Sequence, residues 1–273
     1  MGHNEKKESR ICITVIIMSD CLYLWYLMKS FNKYLKTRDW RYIFPIIASL
    51  FAFLNNMNDI YNFLFFEILD GDCNFFLICF KITALFNWTP ISWLQAYRLI
   101  IYTKLFYKKK TYYIISAINI ILSGAYTISY YLNFIQYTYE DISKKTNRFM
   151  FCTVKQKSDV YTLYLMIFDV CDSAFSLGIL VFTAYMALDS IQYLRYQYAK
   201  IKRMVEEGFI QLIVLTLSKI ICYTLIFYLM KNESMVADVI WDILSVIVIG
   251  CSYRLVNVRY ERVNYRKDDE GYD

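Results

Sequence analysis

Histidine is almost absent from this chain of 273 residues: His3 is the only one. That removes the commonest metal ligand. There is no Cys-x-x-Cys pair either, so neither a metal site nor a cofactor is expected. Proline and glycine are scarce, at two and seven residues. No Gly/Ser-rich linker, internal repeat or separate soluble domain can be read from the chain. Transporters built from inverted repeats often carry broken helices with Gly or Pro pairs, and this composition weighs against them. Catalytic signatures are missing as well. There is no phosphate-binding loop, no Gly-x-Ser-x-Gly, no His-Glu-x-x-His and no paired-carboxylate motif in a soluble region. The aspartates in apolar segments lack the Gly-x-Gly-Asp context of intramembrane proteases. The chain is not expected to be an enzyme.

Apolar residues dominate what is there. Hydrophobic residues make up 58% of the chain and aromatic residues 19%, with a mean hydropathy of +0.32. That is too apolar for a soluble protein of this length. Seven apolar segments lie near 11–28, 42–66, 73–103, 111–135, 160–188, 208–230 and 235–256. Each can span a bilayer core at about 20 residues. None alternates as a barrel strand does, and a helix satisfies its own backbone groups in lipid. The expected fold is therefore an all-α seven-transmembrane bundle. Its domain plan is a short extracellular tail at 1–10, a helical domain at 11–256 and a cytoplasmic tail at 257–273. The first segment lacks a clear small-residue cleavage site and is read as a retained helix. Gly2 is not a myristoylation site, because Lys6 stands where Ser or Thr is needed. The fifth helix is expected to run on through Tyr198. Pro45 falls at the start of helix 2, and Pro90 should kink helix 3.

The net charge is +6, but the basic residues cluster between apolar segments, so topology explains them better than nucleic acid does. Loops 29–41, 104–110 and 189–207 and the C-terminal tail hold 18 Lys and Arg, against nine on the opposite side. The N-terminus is thus expected outside and the C-terminus in the cytoplasm. Two glycosylation sequons occur. Asn87 lies inside helix 3 and should be inert, and Asn232 lies close to the membrane.

The run Cys73 to Arg98, CNFFLICFKITALFNWTPISWLQAYR, spans roughly 38 Å as a helix. Cys152 lies in the one long loop on the Cys73 side. This arrangement resembles helix 3 of the G-protein-coupled receptors, in which an outer Cys bonds a Cys of the second outer loop and an Arg ends the helix inside. The departures are Tyr97-Arg98-Leu99 in place of Asp-Arg-Tyr, no Asn-Pro-x-x-Tyr in helix 7 and no Pro in helix 6. Asp59 also lies nearer the outer end than the usual helix 2 aspartate. Helix 7 has no Lys to anchor retinal. The resemblance implies a Cys73–Cys152 disulfide, in keeping with the oxidising side of a membrane. It also implies a signalling role for Arg98, a heterotrimeric G protein as partner and a plasma-membrane location. The alternative for Arg98 is a residue that merely snorkels to the membrane edge.

Ionisable residues inside spans are costly and are functional candidates. Asp20, Asp59, Lys81, Asp169, Asp172, Lys219 and Asp242 fall at similar depths, with Asp238 nearer the end. Asp59 and Lys81 are expected to pair, as are Lys219 and either Asp169 or Asp172. Six acids against two lysines favour a cationic small-molecule ligand held by Asp59, Lys81, Asp169, Asp172, Lys219 and Asp242, with aromatic walls adding cation–π attraction. The plainer reading is that these pairs only hold helices together. The first functional expectation is a divergent chemoreceptor-like protein. The alternatives are a cation channel or transporter subunit, and a membrane scaffold.

Overall fold

In hydrocarbon no water competes for backbone groups, so an apolar run long enough to cross closes its hydrogen bonds internally. The computed structural model, which describes residues 2–65, 72–141, 152–155, 160–191, 195–231 and 236–257, follows that rule. It contains α1 (Gly2–Thr37), α2 (Ile43–Leu64), α3 (Cys73–Phe106), α4 (Lys109–Ile135), α5 (Val160–Ile191), α6 (Arg195–Lys231) and α7 (Val236–Asn257). All seven are long and apolar enough to cross a membrane, and the chain is a multi-pass membrane protein. A 3₁₀ turn, Trp40–Tyr42, leads into α2. A short antiparallel hairpin, β1 (Thr138–Asp141) and β2 (Cys152–Lys155), lies between α4 and α5, with Thr138 opposite Lys155 and Asp141 opposite Cys152.

The helices form a closed ring. Each packs on the next in sequence, and α7 returns to α1. Helix α3 also touches α5 and α7 across the ring, so it is the central element. The hairpin rests against α3. At one end of the bundle lie the start of α3 at Cys73 and the start of α7. At the other lies the Arg98 side of α3.

The surface is apolar and much of the interior is polar. Ile121, Phe182 and Tyr228 are among many large exposed side chains, as suits a surface facing lipid tails. Ser49, Asn56, Asn119, Ser123 and Ser173 are buried. Small and hydrogen-bonding residues let membrane helices approach closely and bond across the gap. Ser19 accepts from Asn56 at 2.8 Å, joining α1 to α2, and the Asn119 amide donates to the Ala96 carbonyl at 3.0 Å, joining α4 to α3. Tyr42 donates to Asn257 at 2.6 Å and ties the entry of α2 to the end of α7.

The helix spans add to the sequence reading and differ from it at one boundary. Helix α1 begins at Gly2, so residues 2–10 are helical. Helix α5 ends at Ile191, and Tyr198 belongs to α6, which starts at Arg195. The segment 195–207 is rich in Arg, Lys, Gln and Glu, which are good helix formers, so it extends α6 rather than serving as a loop. Helix α3 is helical over the whole of Cys73–Phe106, Pro90 included. The expected tail after Asn257 and the sequon at Asn232 lie outside the described residues.

Candidate functional site: two polar clusters and a cavity

The intramembrane charges do not share one pocket. They separate into a sealed cluster, an acidic group and an isolated lysine.

The sealed cluster lies between α3, α4, α5 and α6. Asp169 and Asp172 are three residues apart on α5 and point to one face. Lys219 of α6 donates to Asp169 Oδ1 at 2.6 Å and to Ser173 Oγ at 2.8 Å. Tyr223, one turn further along α6, donates to Asp169 Oδ2 at 2.5 Å. Asp172 accepts from Ser92 of α3 at 2.8 Å and from Ser123 of α4 at 3.0 Å. Asp169, Asp172 and Lys219 are each at most 2% exposed. Two acids therefore meet one lysine, with four hydroxyl groups completing the shell. Buried charges persist only when paired and hydrogen-bonded in this way.

The acidic group lies between α1, α2 and α7 toward the Cys73 end. Asp242 has Asp238, Asp20 and Asn56 as electrostatic neighbours, and Asp59 has Asp242 and Asp238. Asp20, Asp59 and Asp242 are half-buried, while Asp238, in the first turn of α7, is exposed. This group, unlike the sealed one, opens to the surroundings. Tyr23 donates to the Asp242 carbonyl at 3.2 Å beneath it.

Aromatic rings separate the two. Trp88, Tyr223 and Trp241 meet pairwise, with centroids 5.5–6.4 Å apart. Tyr223 faces the sealed cluster through its hydroxyl, and Trp241 precedes Asp242. Asn87 accepts from Ser245 at 3.3 Å beside this wall, so the residue in the helix 3 sequon is buried.

Lys81 belongs to neither cluster. Its ammonium donates to the Ile135 carbonyl at 3.0 Å, at the last residue of α4. A cation at a helix C-terminus meets unsatisfied carbonyls and the negative end of the helix dipole. The expected Asp59–Lys81 pair does not form for that reason: α4 supplies the lysine's partner, and Asp59 turns toward α7.

Arg98 is buried and lines a cavity of about 20 Å³ with Gln95, Leu99, Tyr102, Ser176, Leu180 and Leu212. Cys73 opens α3 directly after Asp72, whose carboxylate caps the helix by accepting from the Asn74 amide at 2.9 Å. Cys12, Cys21, Cys79, Cys171, Cys222 and Cys251 are free; Cys73 and Cys152 are not among them. The Cys152 side chain lies outside the described residues. Among the described residues no cluster of His, Cys, Asp or Glu could hold a metal ion.

Ser92, Ser123, Ser173 and Tyr223 were missed in the sequence. Hydroxyl residues are common in membrane helices, and only the packing angles between helices reveal which of them turn toward a carboxylate. A bundle of seven spanning helices with polar clusters at its centre is as far as the fold and site define a class. No protein-family model matches the chain, and no curated protein matches it.

Proposed function

We propose that this protein is a divergent seven-helix cell-surface receptor, chemoreceptor-like, that binds a small cationic ligand at the Cys73 end and couples to a cytoplasmic G protein at the Arg98 end. The closed ring of seven helices with α3 at its centre carries this reading. The central helix has a cysteine at its first turn and a buried arginine about seven turns later, and it touches four other helices along the way. A change at one end of α3 is therefore felt by most of the bundle.

The half-open acidic group is the better ligand site, because a guest can reach it. Asp59 and Asp242 supply the charge, Asp20 and Asp238 flank them, and Trp241 stands next to them. Asp169, Asp172 and Lys219 form a core behind the aromatic wall and respond to the ligand through Trp241 and Tyr223. In this reading the N-terminus is outside, the C-terminus is cytoplasmic, and the membrane is the plasma membrane, as the basic loops favour. A Cys73–Cys152 disulfide holds the hairpin over the mouth of the bundle. Its support is that β2, which begins at Cys152, belongs to a hairpin packed on α3, which begins at Cys73.

Arg98→Ala is the test. It should abolish nucleotide exchange by a co-expressed G protein while surface expression stays normal. Unchanged exchange in that variant would remove Arg98 from the coupling surface.

A second reading rests on the acidic group alone. Four carboxylates from three helices at a membrane-exposed end suit a cation path, and that reading makes the protein a channel or transporter subunit.

A further inference from the structure

Of the buried side chains with unpartnered polar atoms, three lie on three different helices near one gap, and two of them line it. Gln95 of α3 is 3% exposed, with both its amide nitrogen and its amide oxygen unpartnered. Ser176 of α5 is 2% exposed, and its hydroxyl is unpartnered. Thr216 of α6 is buried with its hydroxyl unpartnered. Gln95 and Ser176 line the cavity beside Arg98. Thr216 follows Leu212, another lining residue, by one turn on the same face.

These residues continue the sealed cluster toward the Arg98 end. On α5, Ser176 lies one turn beyond Asp172. On α3, Gln95 lies three residues beyond Ser92, which donates to Asp172, and Arg98 lies three beyond Gln95. On α6, Thr216 lies three residues before Lys219, the partner of Asp169. The three helices thus carry polar groups at successive turns from the sealed cluster toward the cavity.

We propose that this cavity is a binding site for water, and that the bound water joins the Asp169–Asp172–Lys219 cluster to the Arg98 end by hydrogen bonds. Size agrees: about 20 Å³ exceeds the roughly 10–15 Å³ one water needs. Chemistry agrees as well, since a buried water needs two or more polar partners, and Gln95 and Ser176 supply both donors and acceptors. Arg98 also lines the cavity and would attract an anion, but an anion cannot donate to the Gln95 oxygen, whereas water serves donors and acceptors alike. The inference does not depend on what the protein couples to.

Radiolytic hydroxyl-radical labelling of the purified full chain tests this, because bound water yields radicals where it sits. Tyr102 and Leu180 line the cavity and are buried. Tyr130 is buried to the same 3% as Tyr102, with its hydroxyl engaged by the Ala84 carbonyl, and serves as the reference. Tyr102 should label well above Tyr130, and Leu180 above the buried Leu165. The excess should be lost in Ser176→Val, which fills the gap and removes the hydroxyl, and in Gln95→Leu, which removes the amide. Two variants guard against one that fails to fold. Labelling of Tyr102 no faster than Tyr130 in the native chain would overturn the proposal, as would an excess that survives both substitutions. Labelling that falls when chloride replaces a bulky anion would place an ion there and overturn it too.

Discussion

Lys219 shows what single residues contribute here. The residue is 2% exposed, in a setting where an unpaired charge is not tolerated. Removing one member of a buried pair leaves the other uncompensated and costs about 3–5 kcal/mol, whereas replacing both with apolar residues of similar size is often neutral or stabilising. Lys219→Met or Asp169→Leu alone should therefore lower thermal stability strongly in detergent. The double variant should recover most of that loss. Additive losses in the double-mutant cycle would mean that the two side chains do not act as a pair. At this scale the sequence was partly legible. The spacing of Asp169 and Asp172 put them on one face, and Lys219 stood at a matching depth. The partner of Lys81 was not legible, because it is the carbonyl at the end of α4, which no residue type announces. Nor was the separation of Asp242 from Asp169, which depends on which way each helix is rotated.

At the scale of elements, α1 and α7 close the ring, and a glycine permits it. A Cβ on Gly250 would lie 2.7 Å from the Tyr26 hydroxyl of α1. Tyr26 is held by neighbouring rings, Trp25 at 4.8 Å and Tyr253 at 6.0 Å, so it cannot turn aside freely. Overpacking typically costs about 1–3 kcal/mol. Gly250→Val should lower thermal stability by that order, and Tyr26→Ala in the same chain should restore part of it. A Gly250→Val chain as stable as the native one would show that the contact is not tight.

The hairpin makes a separate prediction. Mass spectrometry without reduction should find the peptides of Cys73 and Cys152 linked, and free thiols at both positions would end the claim. The helices themselves were read well, because seven apolar runs of spanning length leave little choice in lipid. Their ends were read less well. Charged helix formers at 195–207 extend α6 past the apolar run, and hydropathy does not report that. The hairpin escaped notice because four-residue strands in a polar loop carry no periodic signal.

For the whole molecule, the arrangement has two ends and a connecting core. The acidic group opens at the Cys73 end, the sealed cluster and the aromatic wall occupy the middle, and the Arg98 cavity lies toward the far end. In the proposed receptor reading a signal passes through α3, past the aromatic contacts and the buried Asp169–Lys219 pair. The seven-helix plan was legible in the chain. The separation of the charges into two clusters was not, because it is set by helix rotation. The most direct measurement records G-protein nucleotide exchange and membrane current in the same cells, with and without this protein, across a panel of small cations. The receptor account predicts that one or more of them changes exchange while current stays at background. A current that appears with the protein and falls when Asp59 or Asp242 is neutralised, with no change in exchange, would contradict it.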